Sequence, residues 1–369
     1  MSPARASTPR SRARPRTSSD GDTDADTDTD AAESVSAPLP TVLLDATLPA
    51  DLSRAAALLR AGGLVAFPTE TVYGLGALAL DPLAVRAIYA AKGRPATNPV
   101  IVHVPSVAEA RGLCASFPAE AERLCAAFWP GPLTLVLPRA AVVPDEVTAG
   151  GETVAVRAPD HPAAQALLKL VGAPIAAPSA NRSEHVSPTR AAHVLADLRG
   201  RIDAVLDGGP CALGIESTVL SLAHGPPRLL RAGAISRARL EALLGPISSG
   251  PLRVRGAPHA SPGQHARHYA PAGVVRLDHR ENLDATARAL DAWGQGALGV
   301  LLCGDGAPAP ASAAIERLPG DSSGYARGLY GALRALEERG CGCILIEEVP
   351  AGDEWEAIHD RLRRAASTG

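Results

Sequence analysis

The segment that decides the fold class is Pro174-Ile175-Ala176-Ala177-Pro178-Ser179-Ala180-Asn181-Arg182-Ser183. Its apolar first half is typical of a buried strand, and Pro178 ends that pattern abruptly. Small hydroxyl, amide and cationic groups follow at once. A strand end with backbone N–H groups beside such short donors suits a phosphate or a carboxylate. The segment therefore predicts an α/β fold that binds an anion where a strand ends.

A similar transition lies upstream, where the apolar run 64–67 is followed by Pro68-Thr69-Glu70-Thr71-Val72-Tyr73-Gly74-Leu75-Gly76. Either polar turn alone, the first at 68–76 or the second at 178–183, is weak evidence for a ligand site. Together, the two turns could face a single anionic small molecule from two sides.

Strand and helix periodicity alternate from residue 41 to about residue 245. This alternation predicts an α/β domain with a twisted, mixed sheet and covering helices. The predicted helices are Leu52–Leu59, Leu83–Ala91, Ala119–Phe128, Pro162–Leu170 and one that opens with Ser187-Pro188-Thr189. The predicted strands are Val65–Phe67, Val100–Val104, Leu133–Leu137, Val154–Val156, Ile175–Ala177, Ala204–Leu206, Ser217–Leu222 and Arg228–Leu230.

A stretch rich in proline and glycine, residues 246–271, is predicted to be a linker. Beyond it, a βαβαβ pattern predicts a small Rossmann-like parallel α/β domain over residues 272–366. Its predicted elements are Val274–Leu277, Leu283–Trp293, Leu298–Leu302, Tyr325–Glu338 and Cys343–Ile346. No Gly-x-Gly-x-x-Gly motif follows a strand there, so the pattern gives no support for a nucleotide site in this domain.

Residues 1–38 differ in composition from the rest of the chain, with arginines followed by the acidic run 20–30. Because this stretch offers little apolar surface to bury, we expect a disordered tail. The alternating aspartates resemble a calcium loop, but Thr27 stands where the sharp turn of such a loop needs glycine.

The bulk composition argues against several classes of protein. A net charge of −3 gives no overall attraction to nucleic acid or to a membrane. The 6 cysteines show neither disulfide nor zinc-finger spacing, and no apolar stretch has the length of a membrane span or a signal-peptide core. We therefore expect a reduced, cytoplasmic protein.

Several polar residues at strand and helix ends leave two interpretations open. Lys92 and Arg94 end a helix, so they either stabilise its dipole or clamp a phosphate. Arg157 ends a strand, and its side chain either reaches solvent or binds an anion in a cleft. His103 lies in an apolar strand, where a histidine is more often a hydrogen-bonded core residue than a ligand. No nucleophile–base pair or Walker motif stands out, so binding and electrostatics are expected to carry the chemistry.

Five segments taken together closely resemble the YrdC-type L-threonylcarbamoyl-AMP synthases. The matching blocks are Phe67-Pro68-Thr69-Glu70-Thr71-Val72-Tyr73-Gly74-Leu75-Gly76, Lys92-Gly93-Arg94-Pro95, Trp129-Pro130-Gly131-Pro132-Leu133-Thr134, Ala177-Pro178-Ser179-Ala180-Asn181 and Gly214-Ile215-Glu216-Ser217-Thr218. The motif Arg267-His268-Tyr269-Ala270-Pro271 and the second domain resemble the long, two-domain form of these enzymes.

The resemblance implies a nucleotidyltransferase that converts L-threonine, bicarbonate and ATP into threonylcarbamoyl-AMP and pyrophosphate, with Mg²⁺ accompanying the ATP. Residues 41–245 would form the YrdC-like catalytic domain, and residues 246–271 would close over its active site. The product would serve a downstream threonylcarbamoyl transferase complex that modifies tRNA next to the anticodon. No membrane contact is expected, and a weak contact with tRNA or double-stranded RNA is left open.

By motif position, the resemblance also assigns site residues. The expected threonine-binding residues are Thr71, His103, Arg157, Ala177 and Ser217, with Arg157 on the carboxylate. The expected ATP-binding residues are Arg94, Asn98, Thr153, Ser179, Ser187, Arg231 and Tyr269. Lys92 and Arg94 would be catalytic, with Lys92 on a phosphate. One departure is Gln264-His265-Ala266, where the family usually has a methionine followed by a cation and an aromatic residue.

Two other functions fit parts of the pattern. A nucleic-acid-binding module could use a concave basic surface, but the net charge and the aromatic content of 3% weigh against it. A carbamoyl transferase of the hydrogenase-maturation type uses a similar domain, but its cysteine pairs and acylphosphatase region are absent from this sequence.

Overall fold

In the computed structural model, the strands that carry the polar turns lie in the middle of one large sheet. The structure describes residues 40–250, 269–293, 296–306 and 313–367. The predicted tail 1–38 and the linker departure Gln264-His265-Ala266 lie outside the described residues, as does His268.

The large sheet mixes parallel and antiparallel strand pairs, which confirms the predicted mixed sheet. Its strands are β1 (Val42–Asp45), β2 (Val65–Phe67), β3 (Gly74–Leu78), β4 (Ile101–His103), β5 (Leu133–Pro138), β6 (Thr153–Arg157), β7 (Ile175–Ala176), β8 (Ala204–Asp207), β9 (Thr218–Ser221), β10 (Arg228–Arg231) and β11 (Ser248–Ser249). Their spatial order is β1-β8-β2-β3-β7-β4-β6-β5-β9-β10-β11.

Helices cover both faces of this sheet and bury an apolar cluster on each. They are α1 (Pro49–Arg60), α2 (Pro82–Lys92), α3 (Val107–Gly112), α4 (Ala119–Phe128), α5 (Asp145–Thr148), α6 (Pro162–Val171), α7 (Ala191–Leu198) and α8 (Arg237–Leu244). Helices α2, α4 and α7 contribute to the larger cluster, and α1 and α6 contribute to the other.

Local capping fixes the ends of α2, and thereby the positions of Lys92 and Arg94. The Asp81 side chain accepts hydrogen bonds from two backbone N–H groups of the first turn, which Pro82 opens. Gly93 ends the helix with a left-handed φ of 61°, a conformation that glycine adopts without steric penalty. Lys92 therefore closes the last turn, and Arg94 is the first residue to leave the helix axis.

The second sheet is small and entirely parallel, as predicted. Its strands are β12 (Val274–Asp278), β13 (Ala297–Cys303), β14 (Ala314–Leu318) and β15 (Cys341–Glu347), in the order β12-β15-β13-β14. Its helices are α9 (Leu283–Trp293), α10 (Ser322–Glu338) and α11 (Glu356–Ala366), with 3₁₀ turns at Arg280–Asn282 and Asp353–Trp355. Within the described ranges, no helix is both long and apolar enough to cross a membrane.

Three local predictions are wrong. Helix α7 begins at Ala191 rather than at Ser187-Pro188-Thr189, because the Ser187 hydroxyl donates to Glu216 Oε1 (2.6 Å) instead of capping a helix. The polar turn after β2 ends at Gly74, where β3 begins. Ser248–Ser249 lie in the predicted linker yet pair with β10. The division of the chain near residues 245 and 272 stays a prediction.

Candidate active site

The C-terminal ends of β4 and β6 lie beside the start of β7 in the middle of the large sheet. Strands β4 and β6 run parallel in a register that places His103 opposite Arg157, and β7 runs antiparallel to β4. Along β6, Val154 and Val156 join the main core, whereas Ala155 packs on the other face with Ile101. This alternation agrees with the sequence and keeps Arg157 on the face of Ala155.

A cavity of about 50 Å³ lies against these strands, and most of the predicted site residues line it. The predicted residues in its wall are Thr71, Arg94, His103, Arg157, Ala177, Ser179, Ser217, Arg231 and Tyr269. The wall also contains Thr69, Val72, Gly74, Ile101, Pro178 and Glu216. Both polar turns therefore contribute to one cavity.

Three arginines make the cavity cationic. Arg94, Arg157 and Arg231 are each at most 8% exposed. Arg94 donates from Nε and Nη2 to the backbone carbonyls of the 98–99 turn, at 3.1 and 2.8 Å. Arg231 donates from Nε and Nη2 to the carbonyl and the hydroxyl of Ser217, both at 3.1 Å. Burial lowers the pKa of Arg94 to about 10, so its guanidinium stays charged at neutral pH.

Arg157 is paired with Glu70, a residue that the sequence analysis did not assign to the site. Arg157 Nη2 lies 2.6 Å from Glu70 Oε1, and their side chains are 4% and 7% exposed. Arg157 Nε donates to Gly131 O (3.2 Å), and Glu70 Oε2 accepts from Asp160 N (3.0 Å). The third nitrogen, Nη1, has no protein partner within the part of the chain that the structure describes. In the sequence, the feature that could have indicated this pair is the carboxylate of Glu70 in the first polar turn.

His103 is a neutral side chain with an available nitrogen. Burial and the neighbouring Arg157 guanidinium lower the pKa of His103 to about 3. Its ring meets Phe67 edge-on, with 6.0 Å between the ring centroids. Nδ1 is buried and has no hydrogen-bond partner among the described residues. Buried polar atoms without partners are uncommon and call for an explanation, and a ligand in the adjoining cavity would supply one.

Hydroxyl groups of Thr69, Thr71 and Ser217 line the remaining wall, and Thr134 lies directly behind Ser217. Thr71 Oγ1 lies 2.9 Å from Thr69 Oγ1, and Ser217 Oγ lies 2.7 Å from Thr134 Oγ1. Thr134 is fully buried on β5, and the sequence analysis noted it only as part of a motif. Because hydroxyl protons rotate, these pairs can donate to an anion or accept from an amine.

Lys92 lies behind the cavity wall rather than in it. Its Nζ donates to the carbonyl of Ser179 (2.5 Å) and to the carbonyl of Asn181. Burial and the neighbouring Arg94 lower the pKa of Lys92 well below its usual range. In this structure, Lys92 anchors the second polar turn.

Asn98, Thr153 and Ser187 also lie outside the cavity wall. Asn98 is 2% exposed, and its Oδ1 has no hydrogen-bond partner among the described residues. Thr153 begins β6, at the opposite end of that strand from Arg157. Ser187 is occupied by its hydrogen bond to Glu216.

Glu216 connects the cavity to the second domain, and the sequence analysis did not assign it either. Its Oε1 accepts from Ser187, and its Oε2 accepts from Tyr330 Oη (2.8 Å) and from Arg361 Nε (2.9 Å). Burial would raise the pKa of Glu216, but Arg361 and Arg231 outweigh it and hold that pKa below its ordinary value. In the sequence, the signal for Glu216 was its place beside Ser217 in the last of the five matching blocks.

Comparison with known proteins matches both parts of the chain. A family model described as telomere recombination matches residues 57–233, and one described as threonylcarbamoyl-AMP synthase, C-terminal domain, matches residues 235–367. The threonylcarbamoyl-AMP synthase of Bacillus subtilis (strain 168) is 43% identical over 321 residues, covering 85% of this chain and 92% of the relative. That of Pyrococcus abyssi is 42% identical over 320 residues, with coverage of 85% and 93%.

A solved structure gives the same result. The crystal structure of Pyrococcus abyssi Sua5 complexed with L-threonine superposes with a TM-score of 0.82 and 41% identity, covering 88% of this chain and 97% of that one. The fold and the relatives define an ATP-using nucleotidyltransferase. This chain belongs to the two-domain threonylcarbamoyl-AMP synthases.

Proposed function

We propose that the 50 Å³ cavity is the active site at which L-threonine, bicarbonate and ATP become threonylcarbamoyl-AMP and pyrophosphate. The observation that carries this proposal is the convergence of Arg94, Arg157 and Arg231 on one buried cavity. The carboxylate in its wall, Glu216, is already paired with Arg361. Threonine and ATP both bring anionic groups, and buried guanidinium groups bind such groups strongly.

Threonine is proposed to bind at Thr71, His103, Arg157, Ala177 and Ser217. Arg157 would hold the threonine carboxylate through Nη1, while Glu70 and Gly131 keep its other two nitrogens in place. Neutral His103 would accept from, or donate to, the substrate through Nδ1. The solved Pyrococcus abyssi relative in complex with L-threonine supports a threonine site in this fold.

ATP is proposed to bind at Arg94, Ser179, Arg231 and Tyr269, with Asn98, Thr153 and Ser187 further out. Sites for ligands of this size occupy about 300–1,000 Å³, whereas this cavity measures about 50 Å³. We propose that Tyr269, which is 1% exposed and lines the cavity, moves aside to admit the nucleotide. Its return would exclude water from the reacting groups.

The chemistry asks little acid–base work of the side chains. The threonine amine attacks bicarbonate and gives a carbamate with loss of water. A carbamate oxygen then attacks the α-phosphorus of ATP, and the bond to the β-phosphate breaks to release pyrophosphate. Arg94 and Arg231 would stabilise the charge on the transferring phosphoryl group, and Lys92 would keep the second polar turn aligned.

Mg²⁺ is proposed to arrive with ATP rather than to occupy a protein cage. Within the described residues, no group of three or more histidine, cysteine, aspartate or glutamate side chains could hold a metal ion. We therefore propose an ion that is bound mainly by phosphate oxygens and water, as Mg²⁺ commonly is. Its charge would offset that of the triphosphate.

The product is a mixed anhydride of a carbamate and a phosphate, so a transferase must consume it. We propose a threonylcarbamoyl transferase complex acting on tRNA as that partner. Direct contact of this chain with tRNA or double-stranded RNA would be weak, given a net charge of −3. Filter binding at two salt concentrations measures that contact.

Pyrophosphate release from ATP tests the proposed function. Release should require both L-threonine and bicarbonate, and it should fall to background when either is omitted. Salt-sensitive tRNA binding without any threonine-dependent pyrophosphate release would overturn the proposal in favour of a nucleic-acid-binding role.

A further inference from the structure

Helix α11 of the second domain places an arginine next to the cavity without exposing it there. The Arg361 side chain is 0% exposed, although arginine is rarely buried so completely. It is not among the residues that line the cavity. Its burial therefore calls for a role that a surface cation does not have.

Arg361 contacts two parts of the cavity wall at once. Its Nε donates to Glu216 Oε2 at 2.9 Å, and its guanidinium carbon lies 5.2 Å from the centroid of the Tyr269 ring. Tyr330 of α10 makes the same pair of contacts. Its hydroxyl donates to Glu216 Oε2 at 2.8 Å, and its ring stacks on Tyr269 with 5.8 Å between centroids.

The charge balance of this cluster, Glu216, Tyr269, Tyr330 and Arg361, depends on Arg361. Asp360 Oδ2 accepts from Arg361 Nη1 at 2.8 Å, and Nη2 is buried with no hydrogen-bond partner among the described residues. Buried Arg361 thus holds the Glu216 carboxylate and faces the Tyr269 ring, a cation–π arrangement that strengthens when water is excluded.

We propose that Arg361, assisted by Tyr330, is a positioning residue through which the second domain sets the affinity of the active site for ATP. It holds the wall at Glu216 against Tyr269, the residue proposed to move when ATP enters. The inference rests on the proposed function, because it assumes that Tyr269 covers bound ATP.

Arg334 provides a matched control, because its replacement should weaken the attachment of the second domain without changing the contacts of Glu216 or Tyr269. It lies on α10, and its Nη2 lies 2.8 Å from Asp197 Oδ2 of α7, with side chains 7% and 9% exposed. The pair therefore joins the same two parts of the chain and is similarly buried. Neither Arg334 nor Asp197 lines the cavity.

The first experiment compares Arg361→Met with Arg334→Met by threonine-dependent pyrophosphate release and by thermal unfolding. Both variants should lower Tm, because each removes an arginine that is paired with a buried carboxylate. Arg361→Met should raise the KM for ATP by about tenfold or more, whereas Arg334→Met should change it less than about twofold. Equal effects of the two variants on KM would overturn the proposal.

Tyr330→Phe covers the case in which Arg361→Met does not fold. It removes one hydrogen bond to Glu216 but keeps the ring that stacks on Tyr269, so the protein should fold. The KM for ATP should rise in the same direction by about threefold, since the lost bond is made to a charged group. An unchanged KM in this variant would contradict the proposal.

A double-mutant cycle tests whether Arg361 acts through Tyr269. Tyr269→Leu should raise the KM for ATP by itself, and adding Arg361→Met should change that KM less than about twofold further. Effects that multiply would show independent roles and would overturn the inference. If the unmodified enzyme instead releases no threonine-dependent pyrophosphate, the proposed function fails, and the two failures are thereby distinguishable.

Discussion

At the scale of single residues, the site is organised by buried cations that already have partners. Arg157 forms an ion pair with Glu70. Arg231 donates hydrogen bonds to Ser217, and Arg94 donates to two backbone carbonyls. These contacts fix the orientation of each guanidinium group before a substrate arrives. Preorganised donors of this kind lose little entropy when an anion binds.

Replacing Arg157 with methionine should weaken threonine binding by roughly 2–4 kcal/mol, because a charge-assisted contact with the carboxylate is lost. Calorimetric titration with L-threonine measures the change. Since the substitution leaves Glu70 buried and unpaired, Arg157→Met with Glu70→Gln should regain stability without regaining affinity. Arg86→Met, which removes a cation that is 64% exposed, is the control. Near-normal threonine affinity in Arg157→Met would refute the assignment.

Replacing Lys92 with methionine should lower the free energy of unfolding by about 2–3 kcal/mol, because two buried carbonyls lose their donor. Urea denaturation measures this value, and turnover measured alongside should fall as the second polar turn shifts. Lys169→Met removes the other lysine of the chain, which is exposed on α6, and should change neither quantity. If stability is normal and turnover alone falls, Lys92 contacts a phosphate directly.

At the scale of elements, strong local patterns predicted the fold well. Strand β2 and helices α4 and α9 have the predicted bounds, because their apolar periodicity stops at clear polar or proline boundaries. Strand β14 and helix α11 were not predicted. Helix α11 carries a charged sequence, and its buried face includes Arg361, which pattern reading assigns to the surface.

The site shows the same limit of prediction. Residues carried by recognisable motifs, such as Arg94 and Ser217, lie in the cavity wall. Glu70 and Glu216 were missed because their importance comes from partners far along the chain, Arg157 for one and Arg361 for the other. Such pairings depend on tertiary packing, which one sequence does not display.

The loop that leads to Glu216 packs directly on α10, and a substitution at Gly214 tests that contact. Gly214 has a φ of +79°, and an added Cβ would lie 2.5 Å from the Cα of Arg327. Gly214→Ala should therefore lower the free energy of unfolding by about 2 kcal/mol or more and raise the KM for ATP. In Gly172→Ala the φ is +70° but the space is open, so only backbone strain of about 1 kcal/mol is expected. Equal losses in denaturation of the two variants would contradict this packing.

At the scale of the whole molecule, side chains from both domains meet in one hydrogen-bond network at Glu216. The mixed sheet supplies the cavity, and the parallel sheet supplies Tyr330 and Arg361 through its helices. Buried charge and buried neutral histidine therefore coexist near the cavity, which makes the stability of the protein depend on pH.

Stability should fall as the pH decreases below about 6.5, the pKa of an unfolded histidine. Burial and Arg157 lower the pKa of native His103 to about 3. Between these values the unfolded chain binds a proton that the native protein does not. The free energy of unfolding thus loses up to about 1.4 kcal/mol per pH unit from this residue, and nothing is lost above pH 6.5.

Urea denaturation at pH 7 and pH 5 measures this acid sensitivity. His103→Gln should reduce the difference between the two pH values by up to about 2 kcal/mol. His224→Gln, at an exposed position, should leave the difference unchanged. An equal difference in all three proteins would contradict a neutral, buried His103.

The burial of Lys92 shields this one side chain of the folded protein from amine-directed acylating reagents. Of its two lysines, Lys169 is exposed and Lys92 is 3% exposed, with its Nζ held by two carbonyls. Acylation of Lys92 would require the second polar turn to separate from α2. The rate of acylation at Lys92, followed by peptide mass spectrometry, therefore reports how often this part of the cavity wall opens. Bound ATP and threonine should lower that rate.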